Sequence, residues 1–175
     1  AWYTETLKAL SVEVHLNTAV DEALCLSGGF DAVIVATGST PKVFSLGDDS
    51  KVFTAAEVLL GKKDPGTNTV IIGGGLVGCE LALWLKDQGK QVTIVEALHK
   101  LLAVNGPLCH ANSEMLEKLV PFKGIELKTC AQAQSFKDGV LEVKSGQKAE
   151  RIVCDSVILA VGYRENNALY QSLEP

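Results

Sequence analysis

The run Val70-Ile71-Ile72 passes directly into Gly73-Gly74-Gly75-Leu76-Val77-Gly78, and this junction constrains the fold more than any other stretch. A short β-branched strand meets a G-x-G-x-x-G turn, and a helix-compatible segment from Cys79 to Lys86 follows at once. Gly89 closes that helix, and a second apolar run, Val92 to Val95, ends in Glu96. Strand, glycine turn, helix, strand and acid, in that order, predict a Rossmann-like dinucleotide-binding unit. Glu96 lies 23 residues beyond Gly73, near the roughly 20 expected for an acid that holds a ribose.

Each position in the loop has a physical role. Gly73 permits the tight turn from strand to helix. Gly75 lets the backbone approach a diphosphate, whose charge suits the unpaired amides that open a helix. Gly78 has no Cβ, so the helix can pack close on the strand. Gly74, Leu76 and Val77 complete the loop. Glu96 can accept both ribose hydroxyls, while its charge repels a 2′-phosphate, which favours NAD(H) over NADP(H). The competing reading is a glycine-rich turn without a ligand, with Glu96 as a solvated strand end.

Composition narrows the remaining classes. A chain of 175 residues, 47% of them hydrophobic, buries roughly 70% of its unfolded surface, enough for one good core or two small ones. Its formal net charge of −5 points neither to nucleic acid nor to an anionic membrane. No apolar run approaches the ~18 residues that span a bilayer. Cys25, Cys79, Cys109, Cys130 and Cys154 are scattered without a C-x-x-C pair, so neither a disulfide framework nor a metal site is expected. Reduced thiols in a cytoplasmic setting are the default. Cys79, at the start of a helix, reads as a small buried hydrophobe rather than a reactive thiol.

Periodicity organises the rest. Residues 2–10 read as the end of an amphipathic helix, and the alternation Val12, Val14, Leu16 as a strand. Asp31 to Ala36 reads as a buried strand that stops at Thr37-Gly38-Ser39. A connector follows with one short helix, opened by a Thr54–Glu57 capping box and closed at Gly61. From Thr69 the pattern is βαβα, then three short strands, then a buried strand, Val157 to Gly162. The second helix, 112–120, is expected to end at Pro121. A hairpin with Asp138-Gly139 at its turn opens the group of short strands.

Three stretches carry a family resemblance: "FDAVIVATGSTPK", "VIIGGGLVGCELALWLKDQGKQVTIVE" and "DSVILAVGYRENNALY". They resemble the flavin-linked pyridine-nucleotide oxidoreductases with two dinucleotide domains. The nearest likeness is to the C-terminal region of the old-yellow-enzyme-related 2-enoate and 2,4-dienoyl-CoA reductases. That resemblance implies an α/β fold in which a Rossmann-like NAD(P)H domain, bearing a three-stranded β-meander, is inserted in an incomplete FAD-binding domain. It implies partial FAD-domain segments at 1–44 and 163–175, a connector at 45–67 and an NAD(H) domain at 68–162. By the same likeness, Glu80 falls near the nicotinamide carboxamide, or else is an acid favoured by the helix dipole. Gly162 falls beside the nicotinamide, and Thr37, Gly38 and Val20 line FAD. His15, His99 and His110 match no catalytic base, and no catalytic residue is assigned.

The implied chemistry is hydride transfer from NADH to FAD, with electrons passed onward to reduce an activated C=C bond. FMN and an iron–sulfur cluster are implied for other parts of such an enzyme. No strand–glycine loop–helix–acid unit precedes Ala36, so the chain is expected to be a fragment that opens inside the FAD domain. Two other classes stay open: an NAD(H)-binding sensor without redox work, and a subunit of the glutamate-synthase or ferredoxin-reductase type. In the FAD sheet that the resemblance implies, strands 12–17 and 31–36 are not neighbours. With Val33, Ile34 and Val35 left open, the expectation is either a homodimer through this region or a rearranged pairing of 12–17 with 31–36.

Overall fold

The structure, a computed structural model, describes residues 2–103 and 109–174, with the side chain of His110 also outside the described set. In chain order the elements begin α1 (Trp2–Ala9), α2 (Glu22–Ser27), β1 (Ser39–Pro41), β2 (Val52–Thr54), α3 (Ala55–Leu59), β3 (Asn68–Ile72) and α4 (Leu76–Asp87). They continue β4 (Gln91–Val95), α5 (His110–Phe122), β5 (Glu126–Lys128), β6 (Gln132–Lys137), β7 (Val140–Ser145), β8 (Lys148–Val153), β9 (Ser156–Leu159), β10 (Tyr163–Glu165) and α6 (Ala168–Leu173). Two compact units result, Ser39–Arg164 and the pair of segments Ala1–Gly38 and Glu165–Pro175.

The larger unit is built on a parallel sheet ordered β2-β9-β3-β4-β5. The last four residues of β3 and of β4 are buried without a break, as strands covered on both faces must be. The strand period of two splits them between two cores. Ile71, Ile94 and Ile158 join Leu81, Leu85, Leu116 and Val120 of the helices on one face. Val70, Ile72, Val95, Val157 and Leu159 join Phe136, Leu141 and Val143 of the antiparallel meander β6-β7-β8 on the other. The layers are therefore helix, parallel sheet and meander.

Local chemistry accounts for the joints. Thr54 and Glu57 form the expected reciprocal capping box at the start of α3. Asp138 and Gly139 both take positive φ, 50° and 73°, which is the type I′ geometry that matches strand twist in a two-residue hairpin. Three expectations need correction. The helix does not stop at Pro121, which sits inside the last turn of α5 before the cap at Lys123; the turn is closed beyond it by Gly124 at φ +68°. The connector contains a strand as well as a helix: β2 is the outer strand of the parallel sheet, paired to β9.

The third correction concerns the smaller unit. There α1, α2 and α6 are helical, Cys25 is buried, and Asp21 caps α2 by accepting from the Leu24 amide at 2.9 Å. Residues 12–17 and 31–36 form no strand, and the rearranged pairing between them is absent. Ile34 is 91% exposed and Leu16 78% exposed. Strand formation needs a partner's amides and carbonyls, and among the described residues no neighbouring strand supplies them.

Candidate nucleotide-binding cleft

β3 and β4 end side by side, and the chain leaves them in a way that builds a cleft. After Ile72 the backbone turns at Gly73, whose φ of +106° suits only glycine; a Cβ there would also lie 2.5 Å from the Ala160 carbonyl oxygen. The turn delivers Gly75 as the N-cap of α4 with no side-chain capping bond. The first amides of α4 are thus left for an external acceptor. A Cβ on Gly75 would meet nothing within 4 Å, whereas one on Gly78 would lie 2.0 Å from the Gly73 carbonyl oxygen. One glycine keeps a surface open; the other lets helix and strand close up.

Glu96 follows β4 and faces the same loop. Its Oε2 accepts from the Gly74 amide at 2.6 Å and its Oε1 from the Leu98 amide at 2.7 Å. The carboxylate is thereby oriented, with a lone pair left on each oxygen for a further donor. Beneath the loop, Cys79 is fully buried and its Sγ donates to the Gly74 carbonyl at 3.5 Å. Burial, reinforced by the negative charges of Glu96, Glu80 and Glu117, pushes its thiol up to about 12. Such a thiol is no nucleophile at neutral pH, in keeping with its reading as a buried hydrophobe.

These parts enclose a cleft of about 600 Å³. It lies at the C-terminal ends of β3, β4 and β9, where connections depart to opposite sides of β3, the switch point at which open parallel sheets bind ligands. Gly73, Gly75, Leu76, Val77, Glu96 and Gly162 all line it. Gly74 is buried beneath Leu101 and the Glu96 carboxylate, and Gly78 beneath the Gly73 carbonyl; both shape the loop from behind. Glu80 is exposed on α4, beyond its first turn, and does not line the cleft.

Thr37 and Gly38 belong to the smaller unit. There the Thr37 hydroxyl donates to the Asn166 carbonyl, the Asn166 amide donates to the Gly38 carbonyl at 2.9 Å, and Asn166 Nδ2 donates to the Thr37 carbonyl at 3.2 Å. Asn166, absent from the sequence reading, is the residue that fixes this turn. Val20 is exposed. The cleft walls also include residues that the motif did not reveal: Phe44 and Tyr163 towards Gly162, and Ala97, Ala131, Gln132 and Ala133 around Glu96. Tyr163 lies within the last of the three stretches that carry the resemblance, and the Ala131–Ala133 segment carries no local signal.

The sequence pattern of the pyridine nucleotide-disulphide oxidoreductases matches residues 26–174. The chain belongs to that family. Membership makes it part of an oxidoreductase lineage that uses NAD(P)H and FAD, with the Rossmann-like α/β fold expected from the glycine loop. Cinnamate reductase of Clostridium sporogenes is 42% identical over 172 residues, 98% of this chain and 26% of that protein. Bilirubin reductase of Mediterraneibacter gnavus is 30% identical over 176 residues, 99% of this chain and 27% of that protein.

Among solved structures, a 2-naphthoyl-CoA reductase superposes with a TM-score of 0.81 at 22% identity, over 99% of this chain and 26% of that one. Histamine dehydrogenase from Rhizobium sp. 4-9 superposes with a TM-score of 0.74 at 16% identity, over 92% of this chain and 27% of that one. These likenesses establish a shared fold. The chain spans about a quarter of the length of the relatives it matches. Among the described residues no helix is long and apolar enough to cross a membrane, and no group of acidic, histidine or cysteine side chains could hold a metal ion.

Proposed function

We propose that this chain is the NADH-binding, electron-input part of a flavin-dependent oxidoreductase that reduces an activated C=C bond of the 2-enoate or dienoyl-CoA type. The carrying observation is the convergence, in one cleft, of the uncapped α4 amides, the open face of Gly75 and the doubly held Glu96 carboxylate. The 42% identity to cinnamate reductase supports the substrate class. In this reading 68–162 is the NAD(H) domain, joined by connector 45–67 to FAD-domain segments 1–44 and 163–175.

The diphosphate of NADH lies against Gly73, Gly75, Leu76 and Val77, where helix amides and the helix dipole favour an anion. Gly74 and Gly78 hold the loop in shape. Glu96 accepts from the adenosine ribose hydroxyls, and a 2′-phosphate would set like charges together. The nicotinamide half extends to Gly162 at the end of β9. Thr37 and Gly38 are assigned to the edge of FAD, while Glu80, exposed and outside the cleft lining, takes its alternative reading as an acid favoured by the helix dipole.

FAD, with Thr37 and Gly38 at its edge, would supply the hydride acceptor and the onward electron transfer. This chain's residues bind and orient the donor, and the apolar walls Phe44, Val161 and Ala160 exclude water from the transferring end. An iron–sulfur cluster and FMN in the parent enzyme, a cytoplasmic setting and a homodimer through the smaller unit belong to the same proposal. The test is made in the enzyme that carries this chain. Gly75→Ser should raise the NADH concentration needed for half-maximal reduction of a cinnamate-type acid roughly tenfold or more, while dithionite-driven reduction is unchanged. An unchanged NADH requirement would overturn the electron-input assignment.

A further inference from the structure

Three polar residues are found among the described residues that line the cleft: Glu96, Gln132 and Tyr163. Glu96 is accounted for by the ribose. Gln132 lines the cleft at the start of β6, and the backbone holds that strand beside Glu96. The Ala131 amide donates to the Glu96 carbonyl at 3.0 Å and the Cys130 amide to the Leu98 carbonyl at 2.9 Å, so the meander begins beside the acid. Gln134 bonds the backbone carbonyl of Gln132. The Gln132 carboxamide itself has no partner among the described residues.

With the diphosphate on α4 and the ribose on Glu96, the base of the dinucleotide must lie among Ala97, Ala131, Ala133 and Gln132. Three methyl groups can pack on the flat faces of a purine, but an apolar slot discriminates weakly between purines. A side chain that hydrogen-bonds the ligand discriminates strongly, because the wrong ligand leaves it unpaired. A carboxamide presents one donor and one acceptor side by side, the complement of the N6 amino group and N7 of adenine.

We infer that Gln132 reads the adenine of the bound dinucleotide, accepting from N6 and donating to N7. The inference rests on the NADH reading of the cleft. Hypoxanthine offers two acceptors, O6 and N7, along the same edge, so turning the carboxamide over does not restore the pair. An arginine, with two parallel donors, suits that edge instead.

The experiment titrates the 175-residue chain with NADH and with its hypoxanthine analogue, deamino-NADH, by calorimetry. Wild type should bind NADH tighter by about tenfold or more. Gln132→Leu should bring the two affinities together, and Gln132→Arg should reverse the order. Equal affinities in wild type, or a preference that survives in Gln132→Leu, would overturn the assignment of Gln132 while leaving the nucleotide site standing. Failure of both dinucleotides to bind would overturn the nucleotide reading itself. The ratio of two ligands on one preparation is unaffected by a change in folded fraction, so an unstable variant still gives an answer.

Discussion

Gly75→Ser should separate binding from folding. At this position φ is −76° and ψ −173°, which any L-residue adopts, and a Cβ meets nothing within 4 Å. Serine would also supply the side-chain cap that α4 lacks, accepting from the amide of Val77 or Gly78. Relative to glycine that cap is worth a few tenths of a kcal/mol, about 1 °C in melting temperature. The same amides are the ones assigned to the diphosphate. A hydrogen bond to a charged group contributes about 1.5–3 kcal/mol, and about 1.4 kcal/mol is a factor of ten. Withdrawing a single amide should therefore weaken NADH binding roughly tenfold to a hundredfold. Differential scanning calorimetry and titration calorimetry on one preparation read both effects. Wild-type affinity in a folded variant would refute the placement of the diphosphate, and a melt several degrees lower would refute the open face of Gly75.

Gly78→Ala should give the opposite signature: its methyl must displace the Gly73 carbonyl from 2.0 Å, and the overpacking cost of about 3 kcal/mol outweighs the helical gain of about 1 kcal/mol. Thermal melts should show a fall of about 4–8 °C, and an unchanged melt would refute the close packing. Thiol labelling of the native chain should modify Cys109 and Cys130, which are exposed, and spare buried Cys25, Cys79 and Cys154 until unfolding; peptide mapping that finds Cys79 labelled first would contradict its raised pKa. The Thr67 and Asn68 amides hold the Asp155 carboxyl below its ordinary 3.8. A depressed pKa adds stability above the unfolded value that is lost as pH falls through the folded one, so melts should steepen in their decline below about pH 4, less so in Asp155→Asn. Equal pH profiles would remove Asp155 from the acid response. The isolated chain should stay colourless after incubation with FAD and desalting, because Thr37 and Gly38 supply no more than one edge of the proposed flavin site; a yellow stoichiometric complex would contradict this.

What was legible in the amino-acid order was local chemistry. The glycine loop announced its own turn, helix and neighbouring strand because each glycine answers a steric demand within a few residues. The Thr54–Glu57 box and the Asp138-Gly139 turn were legible for the same reason. β2 was not, since three residues, Val52–Thr54, carry no period, and only pairing with β9 makes them a strand. The wall opposite Glu96 was equally hidden: Ala131 arrives through the sheet order, 35 residues away in sequence from the acid it touches. Residues 12–17 and 31–36 have strand composition without strand structure, because β-propensity expresses a fit to a partner rather than a preference of the backbone.

Selectivity of the proposed NADH site is assigned to Glu96, and parallel titration of the chain with NADH and NADPH reads that selectivity. The chain should bind NADH saturably at one site and NADPH more weakly, with a gap that narrows in Glu96→Ala. Equal or tighter binding of NADPH by the wild-type chain would contradict that assignment.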